Sequence, residues 1–494
     1  MKYNILFGGQ AGQGPNFLAQ ILGKTLIEKG FYVFFSRDYQ SLIRGGHNFN
    51  VLTFSDKPVF SNESELDLIV ALDKKTLNFH QKNLKKTGII IDENPSNANL
   101  SGKLFKKLGL EFKDLEKQLK SQDKFKENLI EAKKGYESET EWIKLKNNGK
   151  KNLNFYNGTQ AIAKGAIDSG LDIYYAYPMT PATPLLGELA EKSKEKNILV
   201  LELENEIGII NAAIGSSITG AKSMIGTSGG GFDLMTEGLS LTGIAEIPLV
   251  IYLSQRPGPG TGVATYTAQG DLNIARHAGH GEFNRIVLAP GDSKESVELT
   301  NQCFYFSQKF KIPTIVLGDK HLAESYFTFE KKPKLTSVLK STELKRYNSY
   351  ESDSEESSTE NPEIIIKNVN KRLKIKEEIE KESKNFSTYE IHGNKNLKNL
   401  IVSWGSTKGA IIDAIKDLNC GFLQIKYLEP FPKIENMIQG KNLILIENNS
   451  TGQLGQLISE KTGIFISDKN KILRFDGRPF LSNELKLEIK KRMR

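Results

Sequence analysis

With 494 residues, 38% of them hydrophobic, the chain is too long for one ordinary core, and at roughly 100–200 residues per domain it is expected to form three or four. No apolar stretch approaches the roughly 18 residues of a membrane span. MKYNILFGGQAGQG runs into glycine before a signal-peptide core can form, which predicts a cytoplasmic protein with no membrane partner. The formal net charge of +8 comes mostly from lysines mixed with acids, as in KKLGLEFKDLEKQLK; this reads first as a solvated face, second as a surface for an acidic protein. With no basic and aromatic stripe, it argues against nucleic acid.

The first strand and helix are KYNILFGG and NFLAQILGKTLIEKG, the latter with apolar residues at helical spacing and a glycine stop; YVFFS follows as a strand. DLIVALD and GIIIDE add short, wholly apolar strands of the sort buried in parallel sheets, so residues 1–93 read as a doubly wound α/β domain. From about Asn94 to Lys151, Lys, Glu and Asn with helical periodicity predict helices that finish this domain. A second α/β pattern begins at NLNFYNGTQAIAKGAIDSG and continues through AKSMIGTSG, PLVIYLSQR, FNRIVLAP and IPTIVLGD. After about Glu330 the acidic tract ESDSEESSTE cannot bury a core, and a charged helix follows it. NLIVSWGS, TKGAIIDAIKDLN, CGFLQIKYLEPF and KNLILIENN then return to α/β. The expected division is 1–150, 151–330, a charged linker 331–395, and 396–494.

Cys303 and Cys420 are far apart, with no CxxC or histidine spacing. An iron–sulfur cluster takes four thiolates and a structural zinc site usually two or more, so the chain alone is expected to hold no metal, its thiols buried and inert.

Five stretches carry candidate chemistry. GGQAGQG, Gly8 to Gly14, lies between strand and helix, where glycines let a backbone approach a phosphate; a tight turn without a ligand is the equal alternative. SLIRGGHN adds Arg44 and His47, but FFSRD offers Ser36 and Arg37 where an NAD-linked dehydrogenase would place an acid. IYYAYPMTPATP is a stiff, uncharged turn at the carboxyl end of a strand, where open α/β sheets bind ligands. In ELENEIGIINAAIGSS, Glu206 starts a helix whose face looks buried; it either complements the helix dipole or hydrogen-bonds a ring nitrogen of a heterocyclic cofactor. SQRPGPGTGVATYTAQGDL sets Arg256 on a rigid loop, either as an ordinary surface arginine or as a bidentate carboxylate clamp.

Taken in order, AYPMTP, the Glu206 helix through GTSGGGFDLM, EIPLVIYLSQRPGPGTG, QGDL and HGEFNRIVLAP closely resemble the alpha subunit of 2-oxoacid:ferredoxin oxidoreductases, most of all the 2-oxoglutarate group. GGQAGQG and SLIRGGHN resemble the family's gamma portion, and VSWGSTKGAI, YLEPFP, IENNSTGQLGQL and FDGRPF its transketolase-C-like domain. The resemblance covers nearly the whole chain. It implies three doubly wound α/β domains: a Rossmann-like gamma domain, a thiamine-diphosphate pyrimidine-binding domain and a transketolase-C-like domain.

The resemblance further implies oxidative decarboxylation of a 2-oxoacid with coenzyme A as co-substrate and ferredoxin as electron acceptor. Thiamine diphosphate is then shared with a separate beta subunit, which holds Mg²⁺ through a GDG motif and the iron–sulfur cluster; the present chain has no GDG and should be inert alone. By matching motifs, Glu206 stands where a glutamate meets the aminopyrimidine ring, Thr180 with Tyr177 and Pro178 where cofactor or substrate is contacted, and Arg256 where the substrate carboxylate is paired. Gly9, Gly12, Gly14 and Arg44 are candidates for coenzyme A. Three departures stand out: NGTQA for GNEA, RPGPGT for RGGPST, and ESDSEESSTE in place of the usual linker element. A pyruvate- or branched-chain-type enzyme and a non-catalytic paralogous subunit remain the alternatives.

Overall fold

The computed structural model describes residues 1–40, 46–92, 96–149, 151–340, 348–394 and 396–493. The chain packs as two units. Unit 1 comprises Met1–Tyr156 with Glu324–Lys331 and Leu481–Lys486; unit 2 comprises Asn157–Ala323, Lys332–Phe480 and Leu487–Arg494.

Unit 1 is built on a mixed sheet containing β1 (Lys2–Gln10), β2 (Tyr32–Tyr39), β3 (His47–Ser55), β4 (Leu66–Ala71), β5 (Leu84–Ile91), β6 (Asn154–Asn157) and β13 (Tyr326–Phe329), in the order β5-β4-β1-β3-β2-β13-β6. The expected strands β1, β2, β4 and β5 are present, and β1, β4 and β5 run parallel. Between β1 and β2 lies β3, antiparallel to both, which places Asn48 opposite Gly9. The helix Pro15–Glu28 buries Leu18, Leu22 and Leu26, at the four-residue spacing of one helical face, on the same core as Ile5, Phe35 and Phe54. Helices Asn97–Lys107, Phe112–Leu119 and Phe125–Glu137 form in the Lys- and Glu-rich stretch and bury Leu104, Leu115 and Ala132 in that core.

Unit 2 holds two sheets. The larger runs β17 (Tyr427–Glu429), β11 (Ile286–Leu288), β12 (Pro313–Asp319), β10 (Leu249–Gln255), β9 (Ser223–Thr227), β7 (Ile173–Ala176) and β8 (Leu199–Glu202), parallel except for β17. β10 and β12 are buried along their whole length, as continuous apolar runs such as LVIYL demand. The smaller sheet is β14 (Tyr389–Gly393), β16 (Gly421–Ile425), β15 (Asn399–Trp404), β18 (Asn442–Glu447) and β19 (Lys471–Leu473). Leu253 and Leu317 share one apolar core with Val402, Trp404 and Leu423. A buried polar knot adds to that join: Lys408 Nζ donates to Asp292 Oδ2 at 2.5 Å and Glu295 Oε1 at 2.7 Å, and Gln424 Nε2 donates to Glu295 Oε2 at 2.7 Å.

The fold is α/β with three sheets, as expected, but each sheet is mixed. Within the stretch read as linker, Pro362–Ser383 is a helix, and Tyr389–Gly393 is an edge strand paired to β16, which begins the last sheet before residue 396. Cys303 and Cys420 are buried free thiols; burial raises both, Cys420 to about 11. Among the described residues no helix is long and apolar enough to cross a membrane.

Candidate active site

The carboxyl ends of β7, β9 and β10 lie side by side in the larger sheet of unit 2, and each strand is followed by a turn. After β7 the chain passes through Tyr177 and Pro178, both exposed. The Met179 carbonyl then accepts from Ala182 N at 2.8 Å and Thr183 N at 3.1 Å. The helix Thr183–Lys196 starts at once, with Pro184 in its first turn, where a missing N–H costs nothing.

Arg256, the residue after β10, donates from Nη1 to the Thr180 carbonyl oxygen at 2.7 Å. The structure thus joins two residues that the sequence put on separate loops, and it does so through the Thr180 backbone. Both ends of the loop carrying Arg256 are fixed. Buried Gln255 accepts from Asp271 N at 3.0 Å and donates to the Gly318 carbonyl at 3.0 Å. Gln269 Nε2 donates to the Trp404 carbonyl at 2.9 Å, and its Oε1 accepts from Asn448 N at 2.9 Å.

Glu206 opens the helix Glu206–Ile218, which is capped by Asn205 Oδ1 accepting from Gly208 N at 2.8 Å. A carboxylate in a first helical turn complements the helix dipole. That explains its position but not its burial: Glu206 is only 4% exposed, and its Oε1 is sealed off without a hydrogen-bond partner. It faces Gly231, just past β9, where an added Cβ would run into Thr227 Oγ1 and lie 2.6 Å from Glu206 Oε1. Asp271 closes on the same turn; its Oδ2 would stand 2.8 Å from a Cβ on Gly229. Asp271 Oδ2 and Ser228 Oγ are also buried without partners.

A buried polar atom left unpaired costs roughly 1–3 kcal/mol, so orphans on Glu206, Ser228 and Asp271 around one glycine turn mark a place prepared for something polar. The carboxyl of Asp271 is pushed up to about 6 by burial, helped by Asp233 and opposed by Arg256. Burial also draws Arg256 down, against the pull of Asp271. Acceptor oxygens in a dry wall suit a nitrogen heterocycle with hydrogens to donate, so the residues present fit the aminopyrimidine of thiamine diphosphate. The roles of Ser228 and Asp271 were not drawn from the sequence; the signal for them was SGGG directly after a buried strand and QGD at the end of a glycine-rich loop.

Tyr177, Ile207, Leu234 and Val263 are exposed large apolar side chains on the segments that follow β7, β8, β9 and β10.

The unit 1 candidates are built otherwise. Gly12 and Gly14 have φ of 87° and 88°, which only glycine adopts freely, and Gly14 caps the helix Pro15–Glu28. Gln10 N donates to Gln13 Oε1 at 2.7 Å, and Gln13 N to the Gln10 carbonyl at 3.1 Å, so the turn closes on itself. Gly9 sits where a Cβ would lie 2.9 Å from Gln13 Oε1. Arg44 lies outside the described residues. His47 Nε2 shares a 2.9 Å hydrogen bond with His80 Nε2, and burial lowers both rings, His80 to about 4.

Two family models match the chain: pyruvate flavodoxin/ferredoxin oxidoreductase, thiamine diphosphate-binding, over residues 164–392, and pyruvate ferredoxin/flavodoxin oxidoreductase over residues 4–130. The 2-oxoacid:ferredoxin oxidoreductase subunit alpha of a Sulfolobus species is 29% identical, over 98% of this chain and 96% of that protein. The chain belongs to the 2-oxoacid:ferredoxin oxidoreductase alpha subunits. It is therefore a subunit of an oxidoreductase. A 2-oxoglutarate synthase subunit KorA from Archaeoglobus fulgidus is 39% identical over 34% of this chain and 49% of its own length. The fold of this family member is also that of a 2-oxoglutarate:ferredoxin oxidoreductase from Magnetococcus marinus, solved with 2-oxoglutarate, coenzyme A and succinyl-CoA bound. That match has a TM-score of 0.89 at 22% identity and covers 100% of both chains.

Proposed function

We propose that this alpha subunit, with a separate beta subunit, carries out the thiamine-diphosphate-dependent, coenzyme A-linked oxidative decarboxylation of a 2-oxoacid, 2-oxoglutarate first, and passes the electrons to ferredoxin. The observation that carries the reading is Glu206: a buried carboxylate at the carboxyl edge of a parallel sheet, with an unpartnered oxygen beside a glycine that leaves it room. Bound thiamine diphosphate supplies the carbanion chemistry; the protein supplies orientation and electrostatics.

Glu206 is the residue to hold the pyrimidine ring and to keep or release a proton at its nitrogen. Arg256, steadied by the Thr180 carbonyl, offers its remaining N–H groups to the substrate carboxylate, which a guanidinium takes in a two-pronged contact. Thr180, Tyr177 and Pro178 form the adjoining wall. The exposed apolar side chains of Tyr177, Ile207, Leu234 and Val263 are assigned to the interface with the beta subunit, which would bring Mg²⁺ and the iron–sulfur cluster. Gly9, Gly12, Gly14 and Arg44 are assigned to coenzyme A on the family resemblance. The preference for 2-oxoglutarate is supported by the KorA relatives.

The test is co-expression with a beta subunit of the family from the same organism, then an anaerobic assay with 2-oxoglutarate, pyruvate and branched-chain 2-oxoacids, coenzyme A and a low-potential acceptor. Thiamine-dependent reduction fastest with 2-oxoglutarate is expected. Faster turnover of pyruvate or a branched-chain acid would reassign the substrate. No thiamine-dependent reduction with any of them would overturn the reading and leave a non-catalytic subunit.

A further inference from the structure

The stretch HGEFNR, which takes no part in the site above, forms one wall of a second cavity. This cavity lies wholly in unit 2, between that stretch and the helix Pro362–Ser383, and has a volume of about 700 Å³. Small-molecule sites commonly fall between roughly 300 and 1,000 Å³. The wall is held in shape by His280 N donating to Ser240 Oγ at 2.9 Å and by Phe283 packing where Gly243 has no side chain.

The charges in the cavity do not balance. Glu429 and Glu460 are committed to Arg276, at 3.3 and 3.0 Å, and Glu460 also meets Lys461 at 3.1 Å. Arg372 is taken by Glu351 at 2.5 Å. Glu282, the other acid of the lining, is exposed. Arg285 is only 8% exposed, yet its guanidinium has no carboxylate at ion-pair distance among the described residues. Its contacts are a long hydrogen bond to the Ala275 carbonyl, at 3.5 Å, and the face of the Phe283 ring at 4.3 Å. Lys376, across the cavity on the helix, likewise makes no ion pair among the described residues. A buried guanidinium with no direct ion pair is costly; burial lowers this one to about 10, against only the longer-range pull of Glu429, which is itself paired to Arg276. Val369, Leu373 and Ile379, beside Lys376 on the same helix, give the cavity an apolar flank, and Val369 and Leu373 stand exposed on it.

We infer that this cavity is a binding site for a small organic dianion, its first oxyanion head on Arg285, its second charge near Lys376, and a short apolar body along Val369 and Leu373. The head is a carboxylate or a phosphate, since a guanidinium recognises both. The site shares no residue with the Glu206 cluster, so binding is read without reference to turnover.

The experiment is calorimetric titration of the full chain with suberate, a dicarboxylate, and with the methyl phosphodiester of 6-hydroxyhexanoate, a phosphate-headed dianion, with 1,6-hexanediol as the neutral control. Saturable binding of either dianion, with a Kd of about 1 mM or tighter and none for the diol, is expected; the tighter ligand names the head group. Arg285→Gln should abolish that binding. Lys376→Glu, on an exposed position that leaves folding intact, should weaken it at least fivefold. No saturable binding of either dianion, equal binding of the diol, or undiminished binding in Lys376→Glu would overturn the inference.

Discussion

Two glycine-rich turns follow buried strands in this chain, and the protein has used the space around them in opposite ways. At Gly8–Gly14 in unit 1 the room is filled from within: a Cβ on Gly8 would lie 2.5 Å from Thr76 Cγ2, one on Gly9 would lie 3.0 Å from Leu72 Cβ, and one on Gly14 would strike Asn97. The polar atoms left over near that turn are on Asn16, Asn48, His47 and Asp73, and the other carboxylate oxygen of Asp73 accepts from Thr76 N and Oγ1 at 2.8 Å. At Ser228–Gly231 in unit 2 the room is bounded by acids, and Glu206 and Asp271 each keep a buried oxygen without a partner. Glycine serves packing in the first turn and access in the second. What separates them is what faces the glycines: Thr76, Leu72 and Asn97 in the first turn, the carboxylates of Asp271 and Glu206 in the second, where an unpaired oxygen is expensive to keep.

The contrast can be broken most sharply at Glu206. Glu206→Gln keeps the shape and removes the charge; turnover with the beta subunit should fall by roughly 10²-fold or more, while complex formation and thermal stability are retained. Near-normal turnover would place Glu206 with the packing groups. Gly231→Ala forces a methyl against Thr227 and Glu206. It should cost about 1–3 kcal/mol in urea unfolding and lower turnover as well, because the acid must move.

Asp271 tests the same contrast through pH. Its folded pKa, about 6, lies above the ordinary 3.8, so the folded state holds this proton more tightly than the unfolded chain. The stabilisation is fully present below 3.8 and is lost as pH rises through about 6. Asp271→Asn should therefore match wild type in unfolding free energy at about pH 3 and exceed it by about 3 kcal/mol at neutral pH. A constant difference would mean that the carboxyl is not the cause. Gly12→Ala, with φ of 87° and open space around it, should cost only about 1 kcal/mol, through backbone strain alone.

Much of this was readable in the chain. Glu206 was legible as a buried acid because Ile210 and Ala213 fall on its helical face, and both are buried. The strands KYNILFGG, YVFFS and LVIYL were legible as apolar runs. β3 was not, since HNFNVLTFS opens with Asn48 and Asn50, poor strand formers, and directly follows a glycine pair that reads as a loop. β13 and β17 were hidden for another reason. Each is short and owes its state to a partner far away in sequence: Phe327 pairs with Phe34, and Tyr427 with Leu288. The orphaned oxygens of Ser228 and Asp271 were out of reach altogether, because being unpartnered is a property of the surroundings and not of the residue.

β13 carries a practical lesson about dividing the molecule. It lies between β2 and β6 in the unit 1 sheet, although its residues come after β7 to β12 of unit 2 in the chain. A fragment ending at Tyr156 would lack it, and β2, with Phe34 and Phe35, would present bare backbone as a sheet edge, the kind of surface that recruits other chains into aggregates. Supplying Tyr326–Phe329 as a separate peptide should complement such a fragment by strand addition. The short return segment thus closes a sheet edge that the first 156 residues would leave open, and a boundary drawn from chain order alone would cut it away.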